Sequence, residues 1–195
     1  MKREEKYTMT KRKVGIFVGS LRKKSYTRQV AETMRTLAPG SLEMELIELD
    51  GLEMYNQDFE DNGIPPVSWI HFREAVKKLD AFLFLTPEYN RSIPAVLKNA
   101  LDIGSRPYGQ SVWNGKPGAV ISVSPGALGG FGANHAVRQS LVFLNIPAMQ
   151  QPEAYIGNAA ALYDTEGNLL DEKTREFFQK IMNAFEAWID TNLDT

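Results

Sequence analysis

Val14-Gly15-Ile16-Phe17-Val18-Gly19-Ser20-Leu21-Arg22-Lys23-Lys24-Ser25-Tyr26-Thr27-Arg28 is the stretch from which the architecture follows. Its opening apolar run has the composition of a strand buried on both faces. Gly19 and Ser20 punctuate it, and a helical pattern begins near Ser25, with Val30, Ala31, Met34 and Leu37 on one side. A strand, a small-residue turn and a helix N-terminus together make a phosphate site, because free N–H groups and the positive end of the helix dipole face the anion. Ser20, Ser25 and Thr27 add hydroxyl donors, and Arg22 adds a permanently charged planar fork. The plainer alternative is an ordinary helix capped by Ser25, with Arg22 in solvent.

Outward from this stretch, apolar strands alternate with helical patterns. Leu42 to Leu49 alternates apolar and acidic residues, as an edge strand with one wetter face does. Residues 50–66 read as a long surface connection, and Pro66 to Leu79 as a helix. Ala81 to Leu85 is the third strand, followed by the break Thr86 to Ser92 and a helix from Pro94. Tyr108 to Gly115 reads as loop, Pro117 to Val123 as the fourth strand, and Asn134 to Leu144 as a helix. A short fifth strand is expected to begin at Ala148-Met149-Gln150, with Tyr155 to Leu170 irregular and a long helix, capped by Asp171, to Leu193. The alternation predicts an α/β fold: a doubly wound five-stranded parallel sheet, order 2-1-3-4-5, with helices on both faces. In that order strands one and three are neighbours, and ligands bind at their carboxyl ends. The two most unusual loops, 19–27 and 86–92, leave those strands.

Bulk composition narrows the function. A chain of 195 residues reads as one domain, residues 13–195, behind a basic, flexible tail of residues 1–12. A net charge of -2 supplies no field for nucleic acid. The basic start lacks the apolar core of a secretory signal, and no run approaches the ~18 apolar residues of a membrane span. Cysteine is absent, which removes disulfides, a cysteine nucleophile and cysteine-held clusters, and fits a reducing cytoplasm. His71 and His135 are the only histidines, too few for a histidine-rich metal site.

The three carboxyl-end loops differ in chemistry. The first is an anion cradle. The second, Pro87-Glu88-Tyr89-Asn90, offers N–H groups, an aromatic ring and an amide, as the edge of a planar heterocycle requires. The third, Ser124 to Gly132, carries glycines at 126, 129, 130 and 132, which allow close approach to a flat ring or, more plainly, a tight turn. Phosphate at one end and a hydrogen-bonding ring at the other suggest a mononucleotide. The dinucleotide and P-loop spacings are absent, as is the Gly-x-Ser-x-Gly elbow of hydrolases. His135 reads as a structural helix-face histidine, and Glu88 as a side chain turned outward while its backbone binds.

Gly19 to Ser25, Pro87 to Pro94 and Leu97-Lys98-Asn99-Ala100-Leu101-Asp102 resemble the NADPH-dependent FMN reductase family, in its branch of chromate, quinone and azo-dye reductases. The resemblance spans about residues 14–157 and implies a flavodoxin-like fold with bound FMN. It implies that Ser20, Arg22, Ser25 and Thr27, with Tyr26 among them, hold the FMN phosphate. Thr27 stands where many members have Asn, a mild departure because both donate. Pro87, Glu88, Tyr89 and Asn90 are implied to serve the ribityl chain and ring, and Ser124, Gly126 and Gly129 its other edge. No catalytic side chain and no metal is expected, because the cofactor carries the chemistry. The implied reaction is ping-pong: NADPH or NADH reduces the flavin, which passes the hydride to a quinone, flavin, azo compound or metal oxyanion such as chromate. The resemblance further implies a cytoplasmic homodimer or homotetramer, with residues 50–66 and 108–113 as leading interface candidates and His135 and Glu153 as lesser ones. The competing readings are a flavodoxin-type electron carrier that does not oxidise NAD(P)H directly, and a non-catalytic module for a phosphorylated ligand.

Overall fold

A computed structural model describes residues 11–193, so all but residues 11 and 12 of the expected tail, residues 1–12, lies outside the described residues. Five strands form one sheet in the order β2-β1-β3-β4-β5, with every neighbouring pair parallel. They are β1 (Arg12–Val18), β2 (Leu42–Ile47), β3 (Ala81–Thr86), β4 (Gly118–Val123) and β5 (Ala154–Ile156). The helices are α1 (Tyr26–Thr36), α2 (Gln57–Asp61), α3 (Val67–Lys77), α4 (Ala95–Gly104), α5 (Phe131–Phe143) and α6 (Glu172–Leu193). This is the doubly wound order that the alternation predicts, and the flavodoxin-like fold that the resemblance implies. No described helix is long and apolar enough to cross a membrane.

The period of two along each strand sorts the core into two layers. Val14, Ile16 and Val18 of β1 face α1 and α6, beside Val30, Met34, Ile181 and Phe185. Phe17, Phe82 and Phe84 face the other way, onto Trp69 and Phe72 of α3, Leu97 and Leu101 of α4, and Val137 of α5. All strand residues of β3 and β4 are buried, which is why both read as continuous apolar runs. The wetter pattern of β2 belongs to a strand at the edge of the sheet.

Several boundaries depart from the sequence reading. β1 takes in Arg12, which was assigned to the tail; its N–H donates to Ser41 O at 2.8 Å. β5 lies at 154–156, not at 148–150. Ala148 makes only an isolated bridge to Gly118, and true pairing with β4 starts at Ala154, opposite Ile121. α5 starts at Phe131, three residues early, because Gly130 in the left-handed conformation turns the chain into it.

The connection 50–66 is more built than a plain surface loop. It contains α2, and Asn99 of α4 holds its start. The Asn99 carboxamide accepts from Tyr55 N–H at 2.8 Å and donates to Glu53 O at 3.0 Å. Trp69 Nε1 donates to the same Glu53 carbonyl at 3.0 Å, and Arg73 pairs with Glu60. Asn99→Ala leaves buried backbone groups without partners, at a cost of roughly 1–3 kcal/mol. Its expected result is faster amide exchange confined to residues 52–56; uniform protection there would show that Asn99 does not hold the loop.

Candidate functional site

At the carboxyl end of β1 the backbone continues straight into the cradle. Gly19 N–H donates to Leu85 O at 2.8 Å, extending the β1–β3 ladder by one residue. A side chain on Gly19 would meet Pro87 Cδ at 3.1 Å. The turns leaving β1 and β3 therefore touch, as the order 2-1-3-4-5 demands.

Ser25 is the N-cap of α1: its Oγ accepts from Arg28 N–H at 3.3 Å. Capping and anion binding coexist here, because a hydroxyl that accepts a cap bond still has its own proton to donate. The same holds for Ser20, whose Oγ accepts weakly from Arg22 N–H at 3.4 Å. Ser20, Ser25 and Thr27 are all buried within the turn. The N–H groups of Tyr26 and Thr27, at the first turn of α1, have no intrahelical acceptor. Arg22 is exposed, and its Nη2 reaches Lys24 O at 3.4 Å.

Two clefts meet at Arg22. One, of about 390 Å³, is lined by Gly19, Leu21, Arg22, Tyr89, Pro94, Ala95 and Val96. It joins the β1 turn, the β3 turn and the start of α4, and its size suits a small-molecule site. The other, of about 690 Å³, runs from Arg22, Lys23, Lys24 and Ser25 past Tyr26 to residues 164–167. Arg22 and Tyr89, named from separate loops, thus share one cleft. Leu21, Pro94, Ala95 and Val96 also line it and were missed; Leu21, 55% exposed, stood in plain view as an apolar residue inside a polar turn.

The β3 turn is a two-residue reversal. Tyr89 N–H donates to Ser92 O at 3.1 Å, and Ser92 N–H returns to Tyr89 O at 2.9 Å. Asn90 and Arg91 between them have φ of 50° and 65°, the signs of a type I′ turn. Asn visits this region readily; Arg does so seldom, and such residues cluster at functional sites. The Glu88 side chain does not turn outward as the sequence reading expects: the uncapped N-terminus of α5 draws it in, and its Oε2 accepts from Ala133 N–H at 3.1 Å.

Neither cleft is lined by Ser124, Gly126 or Gly129. Ser124 Oγ accepts from Gly126 N–H at 3.1 Å, closing a local turn. Gly129 is required by that turn: φ is 60°, and a Cβ would stand 2.6 Å from the Tyr155 carbonyl carbon. Gly126 has no comparable constraint. His135 meets Tyr155 Oη at 3.0 Å, and Tyr155 donates to Glu153 at 2.9 Å. Burial first, and the Glu153 carboxylate second, raise the Tyr155 pKa above the usual phenol value. Among the described residues no group of side chains has the makeup of a metal site.

A dianionic phosphate with a flat ring fits this donor set. Arg22 and Tyr89 line the shared cleft, and the Ser25 hydroxyl and the first turn of α1 at Tyr26 line the adjoining cleft that meets it at Arg22.

Comparison with known proteins places these features in a family. Residues 12–161 match the family described as NADPH-dependent FMN reductase. The chain is 59% identical to a quinone reductase of Pseudomonas putida over 179 residues, covering 92% of this chain and 95% of the relative. It is 43% identical to a 2-hydroxy-1,4-benzoquinone reductase of a Burkholderia species, covering 91% and 96%. In three dimensions it resembles FerB, a flavoenzyme NAD(P)H:(acceptor) oxidoreductase of Paracoccus denitrificans. There the TM-score is 0.86 at 40% identity, covering 93% of this chain and 98% of FerB. The chain belongs to the NADPH-dependent FMN reductase family and is an oxidoreductase.

Proposed function

We propose that this protein is an FMN-dependent NAD(P)H oxidoreductase whose principal acceptors are quinones. The observation that carries the reading is the cleft shared by Arg22 and Tyr89 where strands β1 and β3 end. Ser20, Arg22, Ser25, Tyr26 and Thr27 would hold the phosphate, by hydroxyl, N–H and guanidinium donation. Pro87, Glu88, Tyr89 and Asn90 would carry the ring through the backbone of the reversed turn. Ser124, Gly126 and Gly129 would border the ring's far edge, with Gly129 shaping the turn. Bound FMN would supply the hydride chemistry, accepting from NADPH or NADH and giving to the acceptor in a ping-pong cycle. The protein's share is to hold and orient the ring and leave one approach open.

The quinone assignment draws on the names of the relatives at 59% and 43% identity. Flavins, azo compounds and metal oxyanions such as chromate suit the same open site as secondary acceptors. We place the enzyme in the cytoplasm as a homodimer or homotetramer. The apolar side chains Met54, Ile64 and Val67, each more than 60% exposed, make residues 54–67 one candidate interface.

Anaerobic titration tests the assignment. Purified protein loaded with FMN is expected to bleach on addition of NADPH or NADH, and to recover its colour on addition of a benzoquinone. A flavin that binds but stays oxidised would point to an electron carrier. A chain that takes up no FMN would point to a module for another phosphorylated ligand.

A further inference from the structure

We propose that Glu88 is a positioning residue: its carboxylate fastens the turn after β3 to the N-terminus of α5, and thereby sets the seat of the flavin ring. The inference deepens the reading above and rests on it. α5 starts from Gly130, a left-handed glycine with no side chain to cap the first-turn N–H groups. The missing acceptor comes from Glu88, far away in sequence, whose Oε2 lies 3.1 Å from Ala133 N. An anionic oxygen at a helix N-terminus gains from the dipole as well as from the charge-assisted bond. The Glu88 side chain is only 13% exposed, and its Oε1 receives Arg91 Nη1 at 3.1 Å. Both oxygens are thus committed within the protein.

A second observation shows how closely the turn lies on the helix. A Cβ at Gly132, one residue before Ala133, would stand 2.7 Å from Arg91 O and 3.0 Å from Glu88 Oε2. Only glycine lets the Tyr89–Ser92 reversal rest on α5 at this point. That reversal carries φ values above zero at Asn90 and Arg91, a conformation that persists where its surroundings over-determine it. Glu88 and Gly132 supply that determination from one side, and Gly19 against Pro87 supplies it from the other. The peptide groups from Pro87 to Asn90 are those assigned to the ring, so what fixes the turn fixes the ring.

The test uses the full chain stripped of flavin. FMN affinity is measured by quenching of flavin fluorescence, and the seat of the ring by the visible bands and circular dichroism of the bound flavin. Glu88→Ala is expected to weaken FMN binding about tenfold and to shift the bands, because a turn released from α5 must be ordered again when the ring binds. Glu88→Gln keeps an acceptor for Ala133 N–H, and is expected to stay within about threefold of wild type with its bands restored. Gly132→Ala keeps the carboxylate but wedges the turn off the helix, and is expected to reproduce the Glu88→Ala spectrum. It carries the same test should Glu88→Ala fail to fold. Wild-type affinity and bands in both alanine variants, or a Glu88→Gln chain as impaired as Glu88→Ala, would overturn the clamp while leaving the FMN assignment standing. A wild-type chain that binds no FMN would overturn both.

Discussion

Arg22→Ala is expected to raise the FMN dissociation constant by roughly 10- to 100-fold, as loss of a hydrogen bond to a charged group at about 1.5–3 kcal/mol implies. The guanidinium is exposed, so water screens it and the lower part of that range is the better expectation. The remaining cradle is made of hydroxyls and backbone N–H groups, which Arg22→Ala leaves in place, so binding weakens without vanishing. Arg22→Lys restores charge but not the planar fork, and falls between the two. Fluorescence titration of the flavin-free chain reads all three. Because Arg22 lines the shared cleft together with Tyr89, unchanged affinity in Arg22→Ala would remove the phosphate from that end of the cleft.

The parts of this site that could be read in advance are those whose partners are near in sequence. Ser25 caps a helix that starts at the next residue, and its acceptor role follows from spacing alone. The sheet order was legible for a related reason: each buried strand announces itself by a local apolar run, and parallel pairing then permits few topologies. What stayed hidden depends on distant contacts. β5 was misplaced because its residues become a strand only by lying against Ile121 to Val123; residues 148–150 have a similar composition but make a single bridge. The sequence reading turns the Glu88 carboxylate outward, whereas it lies inward, because its partner Ala133 N–H belongs to α5, a helix distant in sequence. The order within residues 50–66 is imposed by Asn99, Trp69 and Arg73, which belong to later helices. Gly126 and Gly129 looked alike as letters, yet a Cβ is barred only at Gly129.

Trp113→Ala is expected to destabilise the fold by about 3–5 kcal/mol, the range for deleting a large aromatic from a packed core. The residue sits in a loop-like stretch that suggested an interface, yet it is fully buried, while its neighbour Tyr108 is 90% exposed. Its ring meets Phe82 at 5.0 Å and Phe17 at 5.3 Å in edge-to-face contacts, and its Nε1 donates to Leu101 O at 3.0 Å. Gly104, at the end of α4, packs so tightly on the indole that a Cβ there would fall 2.5 Å from it. The tryptophan therefore holds the C-terminal end of the helix whose first residues, Ala95 and Val96, line the shared cleft. A domain whose total stability is typically about 5–15 kcal/mol has little left after such a loss. In urea, the midpoint is expected to fall with little change of slope. Saturating FMN should recover part of the deficit, because a ligand held only by the folded state at 100 times its dissociation constant adds about 2.7 kcal/mol. That is less than the cavity removes, so the loaded variant still unfolds before even the flavin-free wild type. An unshifted midpoint in Trp113→Ala would mean that residues 108–115 do not belong to the core, and would return them to the surface as an interface.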